Sequence, residues 1–566
     1  MGIKYFQKWL YSKFPECFYE KESFRQKIKE IEILGIDLNG IFYSCVQNLG
    51  ISKKRPFLLN SNAPSLQEKD NLLFLRISQK IKRIVQEIKP TNALILCMDG
   101  VAGLGKIQQQ RQRRYRSSFL DPKRDFDTNS FSPGTELMNE LSCFLEKWIG
   151  NQVEHDPLWK ILKVIFSSEK IAGEGEHKVF EYLNRYEING KEEMNIVIYG
   201  IDSDLIMISL LRPLRNIFIM KEYEEEINYI DISTLRKKIT ENMLISNKLP
   251  ESFHPFLALC DFVFISFFIG NDFLPCLPTM DIMDGFYEHF FSAYRHFFNK
   301  RKKHLIYSAL PKRYEKKEYG FLGCLWDELI LFLTIFSHDE KKWYEDRYND
   351  PRHSFFPDPL ILRFLNTDKN QFHHLHFIDY KKEYYKEKFT LSSSSGNHEK
   401  LISKEYIKGM IWNLNYYYHS IPDWCWYYSY NHAPYLSDIM CFLKSTRTFS
   451  LVFNFQLNKP IDPICQLLLI LPPTSCDLLP PCFQTLFLEK PDSFPQSIQI
   501  DVTGKKKEWE GIVCLPPVPF DFVLEYYKSK KNKLNESEKK RNEFIENPTF
   551  FYNKSAHTKK KVSFFH

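Results

Sequence analysis

Residues 31–40 read IEILGIDLNG. A short, mostly apolar run leads into Asp37 and then into a polar turn. A run of that length, rich in β-branched residues and bounded by turn residues, reads as a buried strand. Asp37 then stands at the strand's carboxyl end. The same pattern recurs: ALILCM (93–98) runs into Asp99, and NIVIYGI (195–201) runs into Asp202 and Asp204. Helical periodicity fills residues 71–88 and 135–149. Strands alternating with helices predict an α/β fold whose mixed, largely parallel central sheet is flanked by helices. In open parallel sheets ligands sit beyond the carboxyl ends of the strands, so acids delivered there from separate strands converge. Any one of these aspartates alone reads equally well as a helix cap. Three strand ends together, one with a D-x-D, favour a site.

Two further motifs extend the acidic set. GEGEHK supplies Glu174 and Glu176, and GNDFLP supplies Asp272, making seven carboxylates with Asp37, Asp99, Asp202 and Asp204. In extended backbone, residues i and i+2 point to one side, so each closely spaced pair can face one point. Clustered carboxylates cannot all ionise without cations. Hard divalent ions with oxygen ligands, Mg²⁺ or Mn²⁺, fit that demand. Two such ions side by side are a standard device for attack of water on a phosphodiester. The competing reading is a set of separate surface ion pairs, but surface acids rarely terminate apolar strands. His177 and Lys178 follow the glutamates directly. His177 is read as orienting a neighbour rather than ligating, and Lys178 as helping to neutralise the acids.

The segment KIQQQRQRRYR (106–116) contains no acid. If helical, it places Lys106, Gln110, Arg113 and Arg114 at i, i+4, i+7 and i+8, on one face. Guanidinium forks and an ammonium suit a terminal phosphate; a solvated basic helix is the plainer alternative. DWCWYYSYNHAP (423–434) is dense in aromatics. Such rings stack unpaired bases or pack a core, and for most of them core packing is the reading adopted.

The whole chain has 566 residues, 43% hydrophobic, 26% charged and 16% aromatic, with net charge +7. This is globular composition, long enough for a large core with attachments. Thirteen cysteines, an odd number without any C-x-x-C, indicate reduced thiols in an intracellular protein and no zinc site. MGIKYFQKWL is too charged for a secretory signal. The apolar stretch 256–274 contains Asp261 and ends in Asn271 and Asp272, so it reads as a buried helix and no membrane association is expected. The organisation expected is a nuclease-type unit over 1–345, a variable linker over 346–400 containing TLSSSSGNHEK, a second aromatic-rich segment over 401–528, and a basic, disordered tail over 529–566.

Taken in order, MGIKYFQKWL, GIDLNG, MDGVAGLGKIQQQRQRRYRS, FSPGTELM, AGEGEHKVFEY, YGIDSDLIMISL, FFIGNDFLPCLP, WCWYYSYNHAPYLSD and GKKKEWEGIVCLPP resemble the XRN family of 5′→3′ exoribonucleases over most of residues 1–528. The resemblance implies a PIN/FEN-like nuclease core with the second segment packed against it. It implies processive, metal-dependent release of 5′-mononucleotides from single-stranded RNA bearing a 5′-monophosphate. The seven acids would be catalytic ligands of two Mg²⁺ or Mn²⁺ ions. Lys106, Gln110, Arg113 and Arg114 would hold the 5′-phosphate. Tyr43, where the family carries histidine, would stack the first base together with Trp424 or Trp426. Ala172, AGLGK and Cys276 depart from the usual pattern without removing a ligand. A monomer without a large C-terminal extension is expected, in cytoplasm or nucleus. The Phe/Lys/Asn/Tyr-rich composition fits an AT-rich cellular or viral genome. A flap-type DNA nuclease and an inactive RNA-binding scaffold are the alternatives. The Lys-Gln-Arg-Arg face argues against the first and the retained acids against the second.

Overall fold

The computed structural model describes residues 2–47, 66–120, 126–187, 194–212, 216–223, 226–244, 250–309, 321–350, 355–389, 398–446 and 453–552. Seven strands in chain order, β1 (Phe18–Glu20), β2 (Ile33–Asp37), β3 (Ala93–Cys97), β4 (Lys163–Ser167), β5 (Asn195–Tyr199), β6 (Asn216–Tyr223) and β7 (Glu226–Asp231), join a C-terminal strand, Thr549–Phe551, in one sheet. The spatial order is β1-β7-β6-β5-β2-β3-β4 followed by the C-terminal strand. The stretch from β6 to β4 is parallel throughout. β7, β1 and the C-terminal strand add antiparallel edges. The three strands expected from the apolar runs are the central ones, with β2 between β5 and β3.

Alternation along the strands builds two cores. Ile33, Ile95, Ile196 and Ile198 point to one face, while Leu34, Ile36, Leu94, Leu96 and Val197 point to the other. The first core continues without a break into Phe262–Phe298 and into helix His398–Tyr418, so the second segment packs on the sheet domain. A third core joins helix Leu104–Leu120 to helices Pro463–Ile470 and Phe520–Lys530.

The stretch around Asp261 is the expected buried helix, Pro255–Ser266. Its aspartate accepts from Tyr294 (2.6 Å), the backbone of Leu305 (3.0 Å) and Ile306 (2.8 Å), and pairs with His304 Nδ1 (3.0 Å). Among the described residues no helix is long and apolar enough to cross a membrane. All thirteen cysteines are unpaired.

Two stretches are more ordered than their composition suggests. Residues 346–400, expected to be a linker, carry a hairpin of Leu365–Thr367 with His373–Leu375 and helix Phe377–Phe389; the serine run lies outside the described residues. The basic tail, expected to be disordered, is folded as far as Tyr552. Asn535 and Glu538 cap a short helix in a reciprocal capping box, Ile545 N–H donates to Lys170 O (3.1 Å), and Thr549–Phe551 pairs with β4. The lysines dominate the composition, but the apolar residues between them supply the packing.

Candidate active site

The carboxyl ends of β2, β3 and β5 bring their acids together. Asp37 ends β2 and accepts from Asn39 N–H (3.3 Å). Asn39 in turn accepts from Asp99 N–H (2.9 Å), and Asp99 accepts from Gly175 N–H (2.7 Å). Three turns from distant parts of the chain are thus stitched edge to edge. Gly175 is required there: a Cβ would fall 2.5 Å from Asp37 Oδ1. Gly100 is required behind it, since a Cβ would lie 1.8 Å from Ile171 O.

The paired acids are not on extended backbone as the i, i+2 argument assumed. Glu174 lies just before helix Gly175–Glu187 and Glu176 in its first turn. Asp202 lies just before helix Asp204–Leu210 and Asp204 begins it. Each pair straddles a loop–helix junction, where free N–H groups and the helix dipole favour negative charge. Asp272 follows Gly270 (φ 77°) and Asn271, whose side chain accepts from Phe273 and Leu274 N–H (2.9 Å each).

Lys106 enters this cluster from helix Leu104–Leu120. Its ammonium donates to Asp272 Oδ2 (2.8 Å) and pairs with Glu174. The electrostatics follow. Burial raises the Asp37 carboxyl well above the usual range, with Asp99 and Asp202 adding to it. Burial, then Asp204 and Glu174, do the same to Glu176. Burial and Asp272 push Asp204 up to about 7. Burial also opposes ionisation of Asp272, but Lys106 holds it below the usual range.

Among the described residues no three His, Cys, Asp or Glu side chains are already drawn together as a metal cage. Lys106 is a cation among them, paired with Glu174 and Asp272. Two buried carboxylate oxygens, Glu176 Oε2 and Asp204 Oδ1, meet no donor among the described residues. Buried anionic oxygens without partners are costly, and a hard divalent cation is a chemical fit for them.

The basic helix divides its charges by face. Lys106 points to the acids, and Arg113 is exposed, its charge reaching Asp272. Arg114 donates to Ser132 Oγ (2.7 Å) and Asn129 O (3.3 Å). Gln110 Oε1 is buried without a donor among the described residues. The opposite face serves structure: Arg111, 0% exposed, donates to Pro516 O (2.7 Å) and Ser493 O, and Arg116 donates to Gly511 O (2.9 Å) and Glu508 O (2.6 Å). Tyr43 is half-buried, edge-on to Phe131 at 5.5 Å. Trp424 is half-buried, and its carbonyl accepts from Leu104 N–H (2.8 Å) at the start of the basic helix. Trp426 is only 6% exposed and packs against Trp412 at 5.3 Å.

His177 is buried and lies flat on Tyr416, ring centroids 3.8 Å apart. Burial holds its imidazole neutral. Lys178 donates to Ser168 O (2.9 Å) and Ile171 O (3.1 Å), and its charge still favours ionisation of Asp99. Residues that sequence reasoning did not assign to the site also reach it. They include Asn39, Asn271, Tyr416 and Tyr417, and Lys221, which donates to Ile201 O (3.0 Å). The run NYYYH was visible as aromatic density, but nothing local marks which ring faces an acid.

Residues 1–124 and 119–223 match the family model described as the XRN 5′-3′ exonuclease N-terminus, and residues 257–318 and 366–565 match the one described as the Xrn1 helical domain. The chain belongs to the XRN family. Six of the seven acids fall within the first XRN match, and Asp272 and Tyr416 fall within the second. Similar XRN relatives include proteins named 5′-3′ exoribonuclease 1 from Schizosaccharomyces pombe (26% identical over 97% of this chain), Homo sapiens (26% over 96%) and Saccharomyces cerevisiae (25% over 98%). The chain spans 50%, 35% and 45% of the length of these relatives, respectively. The folded tail described above also lies inside the XRN helical-domain match, which runs to residue 565.

Proposed function

We propose that the protein is a 5′→3′ exoribonuclease that processively removes 5′-mononucleotides from single-stranded, 5′-monophosphorylated RNA with two Mg²⁺ or Mn²⁺ ions. The observation that carries this reading is the gathering of seven acids at the carboxyl edge of a parallel sheet, where buried oxygens of Glu176 and Asp204 meet no donor among the described residues. Held by these carboxylates, two divalent ions would supply an activated water and neutralise charge developing on the scissile phosphate. Family membership and the names of the relatives support the same activity.

The chain's own groups set the register. Gln110, Arg113 and Arg114 lie along the helix whose first turn carries Lys106 into the acids, so a terminal phosphate held on that face sits next to the cluster. Arginine forks grip a monophosphate. A triphosphate or cap adds bulk and charge that a pocket of this kind excludes. Half-buried Tyr43 and Trp424 supply ring faces for the first base. Trp426, committed to the core against Trp412, does not.

The test is degradation of 5′-labelled single-stranded RNA with and without Mg²⁺. 5′-Monophosphate RNA should yield mononucleotides only with the metal, and 5′-triphosphate RNA and flap DNA should resist. Asp202→Ala should lower the rate more than about 100-fold, beyond the usual cost of losing an outer partner. Survival of monophosphate RNA in Mg²⁺, or preferred cleavage of the flap, would overturn the reading.

A further inference from the structure

We infer that Tyr416 and Tyr417 are positioning residues for the acidic site, through which the second segment sets its affinity for divalent metal. This rests on the reading of the acids as metal ligands.

Both tyrosines are buried near the end of helix His398–Tyr418. Tyr416 donates its hydroxyl to Glu174 Oε1 at 2.7 Å. Tyr417 accepts from Asn271 Nδ2 at 3.3 Å, and its hydroxyl faces the charges of Asp204 and Asp272. Asn271 adjoins Asp272 and shapes its turn. Successive residues on a helix diverge by about 100°, so adjacent hydroxyls can reach acids on different elements. One turn of helix therefore bonds the glutamate loop and the turn that presents Asp272, beside the D-x-D junction.

The two phenols have little freedom. The Tyr416 ring is enclosed by His177 (3.8 Å, stacked), Trp412 (5.0 Å) and Phe273 (5.5 Å, edge-on). The helix is pinned one residue earlier by Asn415, whose side chain accepts from Leu322 N–H and donates to Leu322 O, 2.9 Å each. Trp412 Nε1 donates to Asp423 O (3.0 Å) and Tyr406 to Pro275 O (2.9 Å). His177 thus acts on the site through Tyr416.

A phenol that donates to a carboxylate fixes its orientation and leaves oxygen free, the role outer partners play around metals. On Glu174 the second oxygen faces Lys106, and on Asp204 Oδ1 has no donor among the described residues. Lys106 competes with a cation for those oxygens because it is charged. The phenols are neutral and keep their bonds when a cation arrives.

Tyr416→Phe and Tyr417→Phe each remove one oxygen. In melts of RNA-free protein titrated with Mn²⁺, each should raise the concentration giving half of the metal-induced stabilisation about 10-fold. Hydrolysis of 5′-monophosphate RNA should show the same displacement in Mg²⁺ requirement, with kcat recovering at saturating metal. Tyr384→Phe, which removes a buried hydroxyl that donates to Ala433 O (2.9 Å) from helix Phe377–Phe389, away from the acids, should lower the metal-free midpoint and leave the titration unmoved. If wild type responds to Mn²⁺ and both tyrosine variants respond at the wild-type concentration, this inference fails alone. If wild type shows no Mn²⁺-dependent stabilisation, the metal reading fails and this inference with it. Should one variant not fold, the other decides.

Discussion

Lys106 is the side chain whose place in the sequence and place in the structure differ most. Its helical spacing assigns it to a phosphate face, yet its ammonium lies between Glu174 and Asp272. Removing one partner of a buried ion pair leaves the others uncompensated. Lys106→Met should therefore destabilise the metal-free protein by about 3 kcal/mol, with most of the loss recovered in Mg²⁺. Thermal midpoints in EDTA and in Mg²⁺ check this. The acids predict a pH effect as well. Asp204 is pushed up to about 7 when folded, against about 3.9 unfolded. Between those values the folded chain holds a proton that the unfolded chain has released. The associated stability is complete below about pH 4 and is lost as pH rises through about 7. Asp37 and Glu176, also raised by burial, extend the loss upward. In EDTA the midpoint should fall between pH 5 and pH 8, and Mg²⁺ should flatten the slope. A flat midpoint in EDTA would contradict the assignment.

Helix Leu104–Leu120 joins the two halves of the protein, and its opposite faces should fail differently. Arg111 is fully buried and satisfies the carbonyls of Pro516 and Ser493. Arg111→Ala would strand both and cost about 2–6 kcal/mol, at roughly 1–3 per unsatisfied group; urea unfolding measures it. Arg113 is exposed, so Arg113→Ala should change stability by less than about 0.5 kcal/mol. It should raise KM for 5′-monophosphate RNA and leave 5′-hydroxyl RNA almost unaffected. Equal effects on the two RNAs would remove Arg113 from the phosphate pocket. The helix itself, and the sharing of one face by Lys106, Gln110, Arg113 and Arg114, were legible from spacing. The commitment of Arg111 and Arg116 to the second segment was not, because their partners are carbonyls some 400 residues away in sequence.

The C-terminal strand closes the β4 edge of the sheet, and the chain leading to it holds Lys170, in the loop before Glu174. Deleting residues 543–566 should expose β4 as a free edge. Such edges template aggregation, so size-exclusion chromatography should show higher species and melts a lower midpoint. A monodisperse truncated protein with an unchanged midpoint would mean that the strand is dispensable. The rest of the molecule is organised by continuity of its cores. The same apolar cluster runs from the sheet through Phe262–Phe298 into helix His398–Tyr418, which is how the second segment reaches the acids.

Local patterning was enough for the central strands, the acids at their ends and the basic face. A strand's alternation, a helix's period and a carboxylate after an apolar run are all short-range signals that survive without knowledge of neighbours. Long-range packing settled the remainder. The edge strands are three-residue pieces whose pairing is paid for by partners far along the chain. Trp426 and Trp424, or Tyr416 and Tyr43, are chemically alike in sequence and differ only in what encloses them. Lys106 keeps its helical phase, but its pairing with Glu174 and Asp272 was not legible, because electrostatic and hydrogen-bond energies depend on separation in space, which one-dimensional spacing does not encode.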